Sequence, residues 1–96
     1  MKRDNTENLG EVIKRLLKAY RINDKYYQIA ILEEWNQLMG PLIAKHTTSV
    51  FFKGGRLIIR LNSSVLRQEL SFTKEKIISS LNKALGEPVI KEVELR

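Results

Sequence analysis

A chain of 96 residues, 43% hydrophobic and 29% charged, suits one globular domain with a thin core and leaves little room for a deep, dry catalytic cavity. It has no cysteine and a single histidine, which excludes disulfides, zinc ribbons and thiol catalysis. The net charge of +6 favours an anionic partner, and the excess is concentrated in residues 45–76. There Lys45, Lys53, Arg56, Arg60, Arg67, Lys74 and Lys76 face only Glu69 and Glu75.

Residues 1–8 are polar and read as a flexible start, without the apolar run of a signal peptide. No stretch approaches the ~18 consecutive apolar residues of a transmembrane helix, so the reading is of a cytoplasmic protein. From Leu9 to Tyr20 the apolar positions Leu9, Val12, Ile13, Leu16, Leu17 and Tyr20 recur at three- and four-residue spacing. That predicts an amphipathic helix capped by Asn8, with Glu11 as its capping-box partner. Lys14, Arg15, Lys18 and Arg21 form a basic ridge away from the stripe. Asn23 or Asp24 is a cap for a second helix reaching Leu38 or Met39, with Ile31, Leu32, Trp35, Leu38 and Met39 on its buried side. Gly40-Pro41 stops that helix, because glycine accepts a left-handed C-cap and proline cannot continue the ladder. Leu42 to Lys45 adds one short turn begun by Pro41.

Thr48 to Lys53 and Arg56 to Leu61 are β-rich runs joined by Gly54-Gly55, the signature of a two-residue hairpin turn with positive φ at both positions. A two-residue turn sets the register: Phe52 faces Leu57, Val50 faces Ile59 and Thr48 faces Leu61 on an apolar side that should be core. The other side pairs Lys53 with Arg56, Phe51 with Ile58 and Ser49 with Arg60. Asn62 or Ser63 then caps a helical region to Leu85, carried by Leu66, Leu70, Ile77, Leu81 and Leu85 and divisible at Leu70–Thr73. Gly86 ends it. Val89 to Leu95 reads as an edge strand, since Lys91 interrupts its apolar face. The order helix, helix, strand, strand, helix (or two), strand gives an α+β fold whose three-stranded sheet is covered by helices on one face.

Enzymes need convergent acid, base, nucleophile or metal-binding groups, and none is evident. Glu33 and Glu34 are adjacent on a helix and point apart, and His46 lacks partner ligands for a metal. No cofactor, metal or small-molecule substrate is expected. Single-stranded nucleic acid is held by cations that track phosphates and by rings on which bases stack. Lys53, Arg56 and Arg60 beside Phe51 and Ile58 have that composition, with Phe51 and Ile58 open to stacking or partner contact unless a helix covers them. Arg67, Lys74 and Lys76, along the third helical region, and Lys45 complete the candidate nucleic-acid-binding set.

The run Trp35-Asn36-Gln37-Leu38-Met39-Gly40-Pro41-Leu42-Ile43-Ala44-Lys45-His46-Thr47 resembles the signature of the DciA-like family. The likeness continues through Gly55-Arg56-Leu57-Ile58-Ile59-Arg60-Leu61, Ser64-Val65-Leu66-Arg67-Gln68-Glu69-Leu70, Leu81-Asn82 and Leu85-Gly86. Each motif is weak alone; their shared order, from Leu9 to the end, is fairly specific. The resemblance implies a KH-like domain of type II-like order over residues 9–96. It also implies a bacterial accessory protein that binds single- or double-stranded DNA at the nucleoid and helps load or operate the replicative helicase. Two departures stand out. Leu66 and Arg67 occupy the place where the family often has Trp, and no GxxG joins the helices, so clamping of four nucleotides is not expected. The alternatives are a protein-interaction adaptor and an RNA- or ribosome-associated factor of the same fold.

Overall fold

The computed structural model describes residues 8–96; of the segment read as a flexible start, all but Asn8 lies outside the described residues. Helix α1 spans Leu9–His46, β1 Thr47–Lys53, β2 Arg56–Leu61, α2 Ser64–Ser71, α3 Lys74–Leu85 and β3 Glu92–Leu95. The sheet order is β1-β2-β3, with β1 and β2 antiparallel and β2 and β3 parallel. A parallel neighbour requires a crossover, and α2 and α3 supply it.

The local signals explain most of these boundaries. Asn8 Oδ1 accepts the Glu11 amide at 2.9 Å, and Ser63 Oγ accepts the Leu66 amide at 3.2 Å. Gly86 closes α3 in the left-handed conformation at φ 77°. Gly54 and Gly55 turn the hairpin with φ 56° and 84°, as a two-residue primed turn requires. The helical region divides at Phe72–Thr73, as the sequence allowed.

Of the two helix boundaries expected before the hairpin, the stop at Gly40-Pro41 is present and the start at Asn23 or Asp24 is not. The helix runs unbroken through Asn23 and Asp24, and the break falls at Gly40, whose φ 81° and ψ 174° lie in a region essentially restricted to glycine. Asp24 cannot serve as a cap because its carboxylate accepts the Gly54 amide of the hairpin turn. Four residues on, Gln28 Oε1 accepts the Phe52 amide at 3.2 Å. Both side chains satisfy the outer edge of β1, which would otherwise offer unpaired donors.

The hairpin register agrees with the sequence reading at five pairs: Phe52–Leu57, Val50–Ile59, Lys53–Arg56, Phe51–Ile58 and Ser49–Arg60. The exception is Leu61, which pairs with Thr47 rather than Thr48 across a bulge. Thr47 is drawn inward because its hydroxyl donates to Ile43 O at 2.7 Å and accepts from Trp35 Nε1 at 3.0 Å.

The core lies between the inner sheet face and the helices. It comprises Ile31 and Trp35 of α1, Phe52, Leu57, Ile59, Leu61 and Val93 of the sheet, Leu70 of α2, Ile77 and Leu81 of α3, and Ile90. Asn82 ties α3 to the last strand by bonding both the carbonyl and the amide of Ile90, at 3.0 and 2.9 Å. Leu32 and Leu38, expected inside, are 46% and 44% exposed, since only one stripe of α1 reaches the sheet. The stripe on Leu9, Ile13, Leu16 and Leu17 stays in solvent as well. The radius of gyration of 17.3 Å exceeds the roughly 12–13 Å of a compact chain of this length, because the first turns of α1 project beyond the domain.

Candidate nucleic-acid interface

Side chains alternate across a sheet, so burying Phe52, Leu57, Ile59, Leu61 and Val93 commits their neighbours to the other face. That outer face carries Ser49, Phe51 and Lys53 from β1, then Arg60, Ile58 and Arg56 from β2, then Glu92, Glu94 and Arg96 at the β3 end. It is open: Phe51 is 45% exposed, Ile58 is half-buried, and Lys53, Arg56 and Arg60 are exposed.

Charge is divided across this face. On the β3 side Arg56 Nε lies 2.9 Å from Glu92 Oε1, its Nη2 reaches Glu94, and Glu94 also bonds Arg96 Nε. The hydrogen bond from Arg96, reinforced by the charge of Arg56, holds the Glu94 carboxyl below the usual range despite some desolvation. Arg56 is therefore engaged with carboxylates. On the β1 side Lys53 and Arg60 have no carboxylate partner among the described residues. There the surface continues onto α1, where a shallow groove of about 320 Å³ is lined by Arg21, Lys25, Asp24, Gln28, Phe51 and Lys53. Three cations thus share this groove with the exposed ring of Phe51 and with one carboxylate, Asp24, which accepts the Gly54 amide.

The seven cations picked out from the sequence do not form one surface. Lys53, Arg56 and Arg60 share the outer sheet face. Arg67 donates from Nη1 to Leu61 O at 2.9 Å and braces α2 against β2. Lys74 and Lys76 belong to the helical layer. Lys76 lines a groove of about 230 Å³ with Leu38, Met39, Thr73, Ile77 and Ser80, close in sequence to Phe72, which is 80% exposed. Lys45 is exposed on the short segment leading into β1, where His46 Nδ1 bonds Asn62 Oδ1 at 2.7 Å.

Sequence reasoning missed Lys25 altogether, and placed Arg21 in a ridge on a separate helix. Their only signal is helical phase relative to Asp24 and Gln28, and that becomes readable once those two residues are known to cap the β1 edge. Among the described residues, no helix is long and apolar enough to cross a membrane.

A family model described as "Dna[CI] antecedent, DciA" matches residues 8–95. No curated protein and no solved structure matches the chain.

Proposed function

The chain belongs to the DciA family, which carries a helicase-loading role, and from that premise we propose that it is a non-enzymatic accessory protein of bacterial DNA replication that grips DNA while it assists the replicative helicase. The DNA lies on the β1 half of the outer sheet face and runs toward the groove beneath α1. The observation that carries this reading is the exposed Phe51 ring sharing a groove with Lys53, Arg21 and Lys25, with Arg60 in the next row along the same face. Cations track phosphates there and the ring offers a stacking platform for a base. A cytoplasmic, nucleoid-associated location follows from the same reading.

Fluorescence anisotropy with a labelled single-stranded oligonucleotide tests it. Binding is expected to weaken with salt, since phosphate contacts release counterions. Lys53→Glu with Arg60→Glu is expected to weaken it at least about tenfold, by losing two contacts and adding two repulsions. Lys74→Glu with Lys76→Glu is the matched control on the helical layer. If the control pair weakens binding and the sheet pair does not, DNA lies on the helical layer instead. Failure of wild-type protein to bind at low salt removes the DNA-binding reading. Competition with an RNA oligonucleotide separates the RNA-associated alternative, because the 2′-hydroxyl distinguishes the two polymers.

A further inference from the structure

The rest of the chain treats the two edges of the sheet differently. At β1 the outward-pointing amides of Phe52 and Gly54 are taken up by Gln28 and Asp24 of α1. At β3 the bonds to β2 alternate. Glu92 N donates to Gly55 O at 3.2 Å, and Arg96 both donates to Ile59 O at 2.9 Å and accepts from Leu61 N at 2.8 Å. In the parallel register, Glu92, Glu94 and Arg96 therefore turn their backbone groups toward β2, while Val93 and Leu95 turn theirs outward. Those outward amides and carbonyls have no partner among the described residues, and such a row is a template for a further strand.

The side chains decide which strand fits. Val93 and Leu95 pack on the core and so belong to the inner face, with Glu92, Glu94 and Arg96 on the outer one. A complementary antiparallel strand places apolar residues opposite Val93 and Leu95, a base opposite Glu92 and an acid opposite Arg96. Residues 92–96 read in reverse meet that description. With Val93 opposite Leu95 of a second copy, two-fold symmetry repeats the pair, and both are hydrogen-bonded pairs that exchange their outward groups. Glu92 then faces Arg96 of the second copy, again twice. The axis passes between the two Glu94 residues, each already held by its own Arg56 and Arg96, so their like charge is compensated on both sides. Shifting the register by two residues one way opposes Glu92 to Glu94 twice, and the other way leaves a single hydrogen-bonded pair. One register is thus selected.

We propose that two copies of this chain associate through β3 and join their sheets into one. The pairing stops at two copies, because α1 engages the β1 edge. Strands this short bury on the order of 700 Å² in total, below the ~1,200 Å² of a stable interface, so the dimer is transient and forms at high protein concentration. Its outer face is continuous, which sets the two β1 strands about 24 Å apart at about 4.8 Å per strand spacing. The proposal rests on the β3 edge and is independent of the DNA-binding reading.

Sedimentation equilibrium of the full chain over a rising concentration series tests it, and the weight-average mass should climb toward twice that of the monomer. Leu95→Pro removes an outward amide and leaves the bonds to β2 in place, so it should weaken association at least about tenfold; Leu95→Ala keeps the amide and is its control. Glu92→Arg and Arg96→Glu each set like charges across the junction, and each alone should associate at least about tenfold more weakly. Mixed in equal amounts, the two variants should form a heterodimer, since each restores opposite charges to the other. A mass that stays monomeric throughout, Leu95→Pro associating as well as Leu95→Ala, or a mixture no heavier than its two components overturns the proposal. Association that Leu16→Glu abolishes and Leu95→Pro spares overturns it in favour of the α1 arm. Circular dichroism checks the fold of every variant, and the mixing result decides if Leu95→Pro does not fold.

Discussion

Replacing Glu92 and Glu94 by glutamine should make this protein a tighter DNA binder. On the outer sheet face these are the two carboxylates that engage Arg56 and Arg96. Lys53 and Arg60 already face solvent without such partners. Glutamine keeps the shape and the acceptor oxygen but removes the charge, so two guanidiniums become free to meet phosphates. Each new phosphate contact adds about 0.7 to the slope of log affinity against log salt for a single strand. Two contacts add about 1.4, which is roughly a sevenfold larger loss of affinity between about 50 and about 200 mM salt. The assay is anisotropy of a labelled oligonucleotide across that salt series, with a thermal melt of each protein alongside. The fold should persist, because exposed ion pairs contribute little to stability. A gain in low-salt affinity with a steeper slope cannot come from damage to the fold. An unchanged affinity and an unchanged slope would refute the reasoning that DNA seated on the β1 half of this face extends to Arg56 and Arg96.

Three further outcomes follow from the packing. Trp35→Ala should destabilise the protein by about 3–5 kcal/mol, a large part of the total for a domain of this size; the urea midpoint should drop steeply, because a fully buried indole is lost along with its bond to Thr47. Gly40→Ala should cost about 1–3 kcal/mol although a Cβ there meets nothing within 4 Å, since the strain lies in φ 81° and ψ 174°; an unchanged melting temperature would show that the break is not enforced there. The pH dependence has a defined sign. Glu94 is held below its ordinary value by Arg96 and Arg56, so its contribution is fully present above the usual glutamate value near 4.5 and is lost as pH falls through the lower folded value. The difference in urea midpoint between wild type and Glu94→Gln should therefore shrink between about pH 6 and about pH 3, and a difference that persists at the acid end would contradict the ion pair.

Much of this protein was legible in its residues because the signals are local. Gly54-Gly55 specifies the hairpin turn, period-two alternation assigns Phe52, Leu57 and Ile59 to one face, and Gly86, Asn8 and Ser63 mark helix ends through bonds spanning at most four residues. The same alternation put Phe51, Ile58, Lys53, Arg56 and Arg60 together on the opposite face. What local signals could not decide was which partner each side chain finds across the fold. Asn23-Asp24 has the composition of a helix start, yet Asp24 is spent on the Gly54 amide thirty residues away, and the helix passes through. Arg56 and Arg60 are equivalent in the strand pattern, but the parallel docking of β3 brings Glu92 and Glu94 beside Arg56 only. Likewise the stripe from Leu9 to Leu17 matches any core-facing helix, and its exposure depends on where the sheet ends. Periodicity reports which way a residue points; only the assembled layers determine whether anything stands there to meet it.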